Sequence, residues 1–464
     1  MKRRTFGAFA AAGMVDLSSL TKSAFAADAP SALPAGLTPF GSEQAGNAAG
    51  TIPAWTGGMT ETPKGVNWDP EKELPPDFFA DDPMLYEVNA GNLEQYKHLL
   101  SDGVIHLIKN SGFSIKVYPT HRTQAMPEWV YKNIAQNATR AQLDPHGGRF
   151  GFSGGYGGVP FPVPDVSKPY DAGSQIIWNH ETAWEGHYVT KVLSTWVVQS
   201  GRPPVMSSYG RDHFISPYYD PNGSLEGFKG YIYKYAGTNL GPATTIGNQT
   251  VYFASINTLK QPNIAWQLLA GQGRVRKAPE ISYDTPNSFD DGIGNYDETN
   301  GFSGALNEYD WKFIEKKELL VPYNNNKLFH VSVKDAHGPK FINPDFVRWE
   351  LHRVWVVEAT LHPGQRNVLA RRRFYVDEDT WTITTGDAWD AKNDLYHTAM
   401  NTFAVFPNLP GVLIQNNFLY NVQTGNYVSQ QGAWGNAPFN QPYSFATISE
   451  TVVEPQAMAA AAAY

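Results

Sequence analysis

The feature that most constrains this fold is a two-residue alternation in the stretch VRWELHRVWVVEAT, residues 347–360. Alternation of apolar and polar residues with a period of two is typical of a β-strand with one buried face. We therefore predict a half-buried strand in this segment. The apolar odd-numbered positions are Val347, Trp349, Leu351, Trp355, Val357 and Ala359, and the polar even-numbered positions are Arg348, Glu350, His352 and Glu358.

Runs of the same kind recur after about residue 174, joined by turn sequences such as DEDT and AKND. Ten or more long strands in succession predict one strongly curved antiparallel sheet, so the predicted fold class is mainly β (α+β). The composition agrees, since 13% of residues are aromatic and only 17% are charged. The other predicted strands are SQIIWNH, HYVTKVLSTWVVQS, GFKGYIYKY, QTVYFASI, NIAWQLLAGQGRVRKA, WKFIEKKELLVPY, RRRFYVD, TWTITTGDAW, DLYHTAMNTFAVF and GVLIQNNFLYNV.

Two helical segments precede these strands. Asn92 is the predicted N-cap of LEQYKHLLSDGVIHLI, which Gly103 is expected to interrupt. Pro127 is predicted to open a second helix in EWVYKNIAQNATRAQL. We place both in a helical insert near residues 91–142 of a β domain that covers residues 91–464.

The amino terminus predicts export from the cytoplasm. Residues 1–26 combine Lys2, Arg3 and Arg4 with a short apolar run and small residues at the end, which is the pattern of a signal peptide. The Arg3-Arg4 pair favours the twin-arginine route over the general secretory route. The chain contains no cysteine, which excludes disulfides and an acyl anchor. We predict a soluble periplasmic protein without a lipid anchor.

The net charge of the chain argues against one class of function, nucleic-acid binding. Residues 1–26 contain four basic residues and one acidic residue, so their removal changes the formal charge from −8 to −11. A chain this acidic is not expected to bind nucleic acid through bulk charge. After the signal peptide, we expect residues 27–90 to form an extended strap rich in glycine and proline, in which the indole of Trp55 is buried against the domain.

Three stretches resemble catalytic or metal-binding motifs. GFSGG at residues 151–155 fits the nucleophile-elbow pattern, but the glycines and prolines that follow cannot form the required helix. HETAW at residues 180–184 lacks the second histidine of a zinc-protease helix. DDGIGNYDETNG at residues 290–301 misses the spacing of a calcium loop, and we expect a solvated loop. We predict no catalytic residue, no metal site and no cofactor.

Two runs concentrate arginine. In GRVRKAP, Arg274 and Arg276 are predicted to share one face of a strand, and in RRRFYVD, Arg372 lies on the face opposite Arg371 and Arg373. One interpretation is that Arg274, Arg276 and Arg372 contact an anionic head group or a partner protein. The other is ordinary cross-strand pairing with acidic neighbours.

Several blocks together resemble the family called domain of unknown function 1329 (DUF1329). The resemblance extends from about Leu37 to about Ser449 and implies an open, bent antiparallel sheet that wraps over helices around an apolar cavity, similar to the lipoprotein carriers LolA and LolB. It also implies that the strap crosses the sheet and is fixed by Trp55. The blocks are GNAAGTIPAWTGG, YPTHR, NATRA, GGVPFPVP, IIWNH, VPYNNNKL, INPDFVRWELHRVWVVEATL and RRRFYVDEDTW.

The resemblance implies a carrier and not an enzyme. The expected ligand is a lipid-like or hydrophobic small molecule, and the expected partners are an RND-type inner-membrane transporter and an outer-membrane barrel. We predict that Trp266, Trp349, Trp355 and Arg353 bind the ligand. Its tail is expected to lie along Trp349 and Trp355 and its polar end near Arg353. The alternatives are a secreted carbohydrate-active enzyme or carbohydrate-binding protein, and a structural scaffold.

Overall fold

The computed structural model describes residues 33–279 and 283–461, and the predicted signal peptide lies outside them. The segment predicted to be the first long helix is interrupted at Leu100 and Ser101, and Ser101 caps the second part by accepting a hydrogen bond from Val104. The helix after Pro127 forms as predicted. The helices are α1 (Leu93–Tyr96), α2 (Asp102–Ser111), α3 (Glu128–Arg140), α4 (Pro169–Glu181), α5 (Val333–Ala336) and α6 (Pro455–Ala461).

Strands dominate the rest of the described chain. They are β1 (Tyr86–Val88), β2 (Ile115–Val117), β3 (Gln142–Leu143), β4 (Phe152–Ser153), β5 (Tyr188–Val198), β6 (Val205–Ile215), β7 (Tyr231–Gly241), β8 (Gln249–Ser255), β9 (Ile264–Leu268), β10 (Val275–Lys277), β11 (Tyr309–Pro322), β12 (Arg348–Leu361), β13 (Arg371–Asp377), β14 (Ile383–Trp389), β15 (Leu395–Phe406), β16 (Gly411–Asn421) and β17 (Asn426–Gly432).

Fifteen of these strands form one sheet, in the order β1-β2-β12-β13-β14-β15-β16-β17-β5-β6-β7-β8-β9-β10, with β11 paired to β12. Every pairing is antiparallel except that of β2 with β12, which is parallel. The predicted mainly β fold, a large antiparallel sheet with a few helices, is confirmed. The DEDT and AKND sequences form the turns between β13, β14 and β15, as predicted.

Two predicted strands are wrong. SQIIWNH lies in α4, which begins at Pro169 and buries Ile176, Ile177 and Trp178. A short apolar run buried on all sides does not distinguish a helix from a strand. NIAWQLLAGQGRVRKA breaks after β9 at a turn in which Gly273 has φ +61°. The prediction also missed the short strands β1–β4 and the longer strands β6 and β17.

The two parts of the sheet differ in how they are covered. We call β12–β17 the packed half and β5–β10 the cavity half. Every residue of β14 and of β16 is buried, because α2 packs on β14 and β15 while residues 283–308 contact β14, β15 and β16 from inside. In β6, by contrast, only Ser208 and Ile215 are buried.

The prediction that the strand at residues 347–360 is half-buried is wrong, because β12 is buried on both faces. Residues 33–82 cover its polar face, where Arg348 is ion-paired with both Asp82 and Glu350. Met59 and Phe78 pack nearby against a core cluster of β11–β13 and β15. The strand does alternate apolar and polar residues, as predicted. The alternation does not indicate that a segment distant in sequence covers the polar face.

The covered face contains a buried charge cluster. His352 is hydrogen-bonded to Glu350 at 3.2 Å and to Asp377 at 3.1 Å, and these two carboxylates raise the pKa of the imidazole to about 9 despite its burial. Arg122 donates to both oxygens of Asp379, at 2.8 and 2.6 Å. The cluster joins the segment before α3 to β12 and to the turn after β13. Its members are Arg122, Glu350, His352, Arg353, Asp377, Glu378 and Asp379.

The amino-terminal segment contacts this cluster and also the residues next to it. The carboxylate of Glu43 lies 3.5 Å from Arg353, which also donates to the carbonyl of Ala45 at 2.9 Å. Trp55 is half-buried, with its indole N–H donating to the carbonyl of Gln124 at 2.9 Å and its ring 5.3 Å from that of Phe40.

Candidate functional site

A cavity of about 490 Å³ lies between the cavity half of the sheet and the segment of residues 283–308, which we call the inner loop. Strands β5–β9 form one wall of the cavity and the inner loop forms much of the other. The sheet contributes Thr195, Asp212, Phe214, Tyr233, Tyr235 and Tyr252, and the inner loop contributes Tyr283, Asn287, Phe289, Tyr296, Asn300 and Asn307.

The aromatic rings of the sheet wall are neighbours because of strand register. Tyr235 of β7 is paired with Phe214 of β6 on one side and with Tyr252 of β8 on the other. Side chains two residues apart on a strand share a face, so Tyr233 joins the same surface. The ring of Phe214 lies 5.0 Å from that of Tyr235 and 6.1 Å from that of Tyr233. These rings form a continuous aromatic surface along the cavity.

One carboxylate, that of Asp212, belongs to this aromatic surface. The hydroxyl of Tyr235 donates to its Oδ1 at 3.0 Å. Burial raises the pKa of Asp212 to about 6, although the Tyr235 hydrogen bond and the charge of Lys191 act in the opposite direction. Lys191 is opposite Asp212 in the β5–β6 pair, but its ammonium is 3.8 Å from Glu185 and lies over the ring of Phe214.

The inner loop is not the solvated loop that the sequence predicted. Asp290, Asp297 and Glu298 are all buried, and the loop lies against the packed half. Arg372 of β13 donates to Asp297 at 2.9 Å, and His397 of β15 lies 2.8 Å from Glu298. The acidic residues of this stretch therefore anchor the loop by pairing with side chains of the sheet.

Burial and pairing shift the titration of these carboxylates in different directions. Burial raises the pKa of Asp297 even though Arg372 is adjacent. Burial would also raise the pKa of Glu298, but the neighbouring His397 holds it below its usual value. Within the described residues, no cluster of three or more potential ligands could hold a metal ion.

A second cavity of about 100 Å³ adjoins the first and shares with it Phe214, Tyr233, Asn300 and Ser303. It contains Glu181 at the end of α4, whose Oε1 accepts a hydrogen bond from the backbone N–H of Gly304 at 3.1 Å. Burial raises the pKa of Glu181 to about 8.

His180 and Ser153 come from two of the motif-like stretches, and the surroundings of both do not fit a catalytic or metal-binding role. His180 lies 2.9 Å from the carbonyl of Phe302 through Nε2 and accepts the backbone N–H of Ile383 through Nδ1. Ser153 ends the two-residue strand β4, and a bend follows it instead of a helix. Neither residue has the geometry of the motif that its sequence suggested.

The four residues predicted to bind the ligand lie outside the cavity. Trp349 is fully buried beside Phe113, and Trp355 is stacked 5.7 Å from Trp381. Arg353 donates to Glu378 at 2.8 Å, so a carboxylate of the protein occupies the place predicted for a head group.

Trp266 is half-buried on β9, with its ring 5.1 Å from that of Phe253. A ligand-binding role for Trp266, Trp349, Trp355 and Arg353 stays a prediction.

The predicted arginine contacts are also separated in space. Arg276 is exposed on β10, and Arg274 is exposed in the turn before it, so the prediction that the two share a strand face is wrong. Arg372 is buried in its ion pair with Asp297. Arg371 and Arg373 both contact Glu358 on the neighbouring strand, which is the cross-strand pairing considered as the alternative.

The residues that surround the cavity were not predicted from the sequence. Tyr233 and Tyr235 were visible as an alternation of tyrosines within GFKGYIYKY, which indicates a face of aromatic rings. Asp212 lies in β6, which carries too little apolar alternation to be recognised as a strand. The inner loop has no periodicity, so its position inside the sheet had no sequence signal.

In the described residues, no helix is both long and apolar enough to traverse a lipid bilayer. The chain belongs to the DUF1329 family, a family of proteins of unknown function, whose profile matches residues 87–459. An uncharacterized protein of Pseudomonas aeruginosa, PA3922, is 34% identical over 395 residues, which are 82% of this chain and 82% of that protein.

Three solved structures are similar to this chain at low sequence identity. A DUF1329 family protein from Desulfovibrio piger is 12% identical with a TM-score of 0.42, over 64% of this chain and all of that one. A putative outer membrane lipoprotein-sorting protein domain from Vibrio parahaemolyticus is 12% identical with a TM-score of 0.41 over the same shares. A LolA superfamily protein from Nitrosomonas europaea is 7% identical with a TM-score of 0.35, over 61% of this chain and 97% of that one.

Proposed function

We propose that this member of the DUF1329 family is a non-catalytic carrier that binds a hydrophobic or amphiphilic small molecule in the cavity between β5–β9 and the inner loop. The observation that carries the proposal is the cavity itself, with its continuous surface of tyrosine and phenylalanine rings. Its volume of about 490 Å³ is within the range of pockets that enclose drug-sized ligands.

Apolar burial would supply the affinity. Each methylene group transferred from water to such a cavity contributes about 0.8 kcal/mol, so a chain of eight to ten carbons would provide several kcal/mol. The polar side chains around the rings, including Thr195, Asn300 and Asn307, would orient the ligand through a few hydrogen bonds. Such a site needs no reactive group.

The cellular setting belongs to the same proposal. The signal-peptide pattern of residues 1–26 supports the periplasm as the place of action. We propose that the carrier exchanges its ligand with an RND-type exporter or an outer-membrane channel, as the family resemblance implied.

A second candidate is a carbohydrate-binding protein or carbohydrate-active enzyme. The observation that favours it is the mixture of tyrosine rings with Asp212, Asn239 and Asn263 around one cavity, since sugars stack on rings and bond to amides. A glycosidase would need a second free carboxylate near Asp212. The other lining carboxylate, that of Asp297, is engaged by Arg372.

Native mass spectrometry of the protein purified from the periplasm tests the carrier. We expect a co-purifying small molecule and displacement of a fluorescent hydrophobic probe by compounds with long alkyl chains. The variant Ala265→Phe places a ring into the cavity and should abolish both signals, whereas Ala270→Phe, at an exposed residue outside the cavity, should preserve them.

An empty protein that binds no hydrophobic probe would contradict the carrier. Binding of oligosaccharides, or their hydrolysis, would establish the second candidate instead. If Trp355→Ala removes the ligand while Ala265→Phe does not, the site lies along β12 as the sequence predicted and not in the cavity.

A further inference from the structure

We infer that the ligand of the cavity carries a positively charged amine or quaternary ammonium group, which binds beside Asp212 among the rings of Phe214, Tyr233 and Tyr235. The inference rests on the proposed function, because it specifies the head group of a ligand that occupies this cavity. It departs from the sequence-based expectation of an anionic head group near Arg353.

The charges around the cavity support a cation. Among the described lining residues there are two carboxylates, Asp212 and Asp297, and no lysine, arginine or histidine. Asp297 is neutralised by Arg372 behind the inner loop. Asp212 is therefore the lining carboxylate that forms no ion pair with a described residue. A buried anion on the ligand would have no direct partner, which is costly in a site of low dielectric.

The groups that face Asp212 leave it able to accept a ligand. From β7, Tyr235 donates to Oδ1, and the described side chains give no other hydrogen bond to this carboxylate. From β5, Lys191 points to the same side of the sheet, but its ammonium contacts Glu185 and the faces of Phe214 and Tyr443. The second oxygen of Asp212 is the acceptor available to a ligand's N–H or ammonium group.

The rings around Asp212 favour the same head group. An ammonium ion within about 6 Å of an aromatic ring centre is attracted by the ring's electron-rich face. Phe214 lies 5.0 Å from Tyr235 and 6.1 Å from Tyr233, and the hydroxyl of Tyr235 is hydrogen-bonded to Asp212, so a group bound beside Asp212 has these rings as its neighbours. Quaternary ammonium groups are recognised by cages of aromatic rings.

The titration of Asp212 gives the inference a pH signature. Its pKa of about 6 leaves the carboxylate mostly charged at pH 7.5 and mostly protonated at pH 5. Tyr235, which donates to Asp212, and Tyr233 on the same strand face stay neutral over this range, because burial raises the pKa of both hydroxyls further above its ordinary value. Glu181 lies in the second cavity, which shares Tyr233 with the first. Its pKa of about 8 keeps it protonated at pH 5.

The experiment compares three ligands with one tail: decyltrimethylammonium, decanol and decanoate, each below its micellar concentration. At pH 7.5 we expect calorimetry to show the ammonium ligand binding at least tenfold more tightly than decanol, and decanoate more weakly than decanol. The substitution Asp212→Asn should remove the preference for the ammonium ligand over decanol. The control Asp171→Asn removes an exposed carboxylate on α4 and should behave as the wild type.

A second measurement needs no variant. Lowering the pH of the wild-type protein from 7.5 to 5 should weaken the binding of decyltrimethylammonium by about tenfold, since a group with a pKa near 6 is about nine-tenths protonated at pH 5. The affinity for decanol should stay constant.

The outcomes separate the two proposals. Equal affinity for the ammonium ligand and decanol, or tighter binding of decanoate, overturns the cationic head group and leaves the carrier intact. Binding of none of the three ligands overturns the carrier itself. Should Asp212→Asn fail to fold, a pH-independent affinity for the ammonium ligand in the wild type overturns the inference by itself.

Discussion

The packed half of the sheet, β12–β17, and the cavity half, β5–β10, share antiparallel pairing but differ in what covers them. Residues 33–82, α2 and the inner loop cover the packed half, so even its polar residues are buried in ion pairs. The cavity half faces the inner loop across a space of about 490 Å³. One half therefore forms a frame that is packed on both faces, and the other half borders an open cavity.

The sequence blocks that carry the family resemblance lie outside the cavity half of the sheet. These blocks lie in residues 46–58, in the segments around α3 and α4, at the end of β11 and in β12 and β13, and none lies between β5 and β10. Two residues of the buried charge cluster lie in these blocks. Arg122 donates to Asp379 and to the carbonyl of Gln44 in the amino-terminal segment, and His352 is hydrogen-bonded to Asp377. The blocks that identify the family are thus distinct from the residues that surround the cavity.

The largest expected difference between the halves is in buried charge. Replacing Arg122 by Met leaves Asp379 buried without its partner, and loss of one member of a buried ion pair costs about 3–5 kcal/mol. The matched change Arg211→Met removes an exposed arginine of β6 and should alter the free energy of unfolding by less than about 0.5 kcal/mol. Urea denaturation measures both. Similar losses in the two variants would contradict the division into frame and open surface.

Truncation of an aromatic ring should distinguish the halves by packing alone. Phe418 of β16 is fully buried, so Phe418→Ala should lower the free energy of unfolding by about 3–5 kcal/mol. Phe214 already borders a cavity, and Phe214→Ala should cost only about 1 kcal/mol. If Phe214→Ala is as destabilising as Phe418→Ala, the cavity is closed and filled in solution.

The pH dependence of stability should also differ between the halves. The folded-state pKa of His352, about 9, is above its ordinary 6.5, so its stabilising contribution is complete below pH 6.5 and is lost as the pH rises to about 9. Asp212 has a folded-state pKa of about 6, above its ordinary 3.8, so its contribution is lost as the pH rises from about 4 to 6. Chemical denaturation across pH 4–9 should show the first loss flattened in His352→Gln and the second flattened in Asp212→Asn. Unchanged slopes would show that these groups titrate alike in the folded and unfolded chain.

Helix α2 allows a test of close packing on the frame. A Cβ atom added at Gly103 would lie 2.0 Å from Oγ1 of Thr398 and 2.3 Å from Oδ1 of Asp387, so Gly103→Ala should cost about 1–3 kcal/mol. Gly271, in the turn between β9 and β10, has open space in the same position, and Gly271→Ala should be neutral. Thermal unfolding compares the two, and a neutral Gly103→Ala would mean that α2 moves away from the sheet without loss.

The sequence predicts the sheet but not the two segments that cover it, residues 33–82 and the inner loop. The alternation that includes Trp349 and Val357 is a local pattern, which can be recognised from consecutive residues of one strand. Such patterns identified most strands of both halves. Burial of Glu350 and His352 depends on residues 33–82, and burial of Asp297 depends on Arg372, which is 75 residues away. The predicted ligand site therefore fell on the bulkiest alternating strand, whereas the cavity depends on where the aperiodic inner loop lies.

The smallest expected effect concerns single hydroxyl groups. Tyr427 of β17 is fully buried and donates to the carbonyl of Gly338 at 2.7 Å, so Tyr427→Phe leaves that carbonyl without this donor at a cost of about 1–3 kcal/mol. Tyr235→Phe removes the donor to Asp212, but this carboxylate borders the cavity, where water can replace the hydroxyl, and the cost should be below about 1 kcal/mol. Because the Tyr235 hydrogen bond lowers the pKa of Asp212, its loss should raise that pKa further above 6 and move the midpoint of ammonium binding to higher pH. A Tyr235→Phe variant with an unchanged midpoint would show that the hydroxyl and the carboxylate are not in contact in solution, and equal stability losses in the two variants would show that both hydroxyls are equally shielded from water.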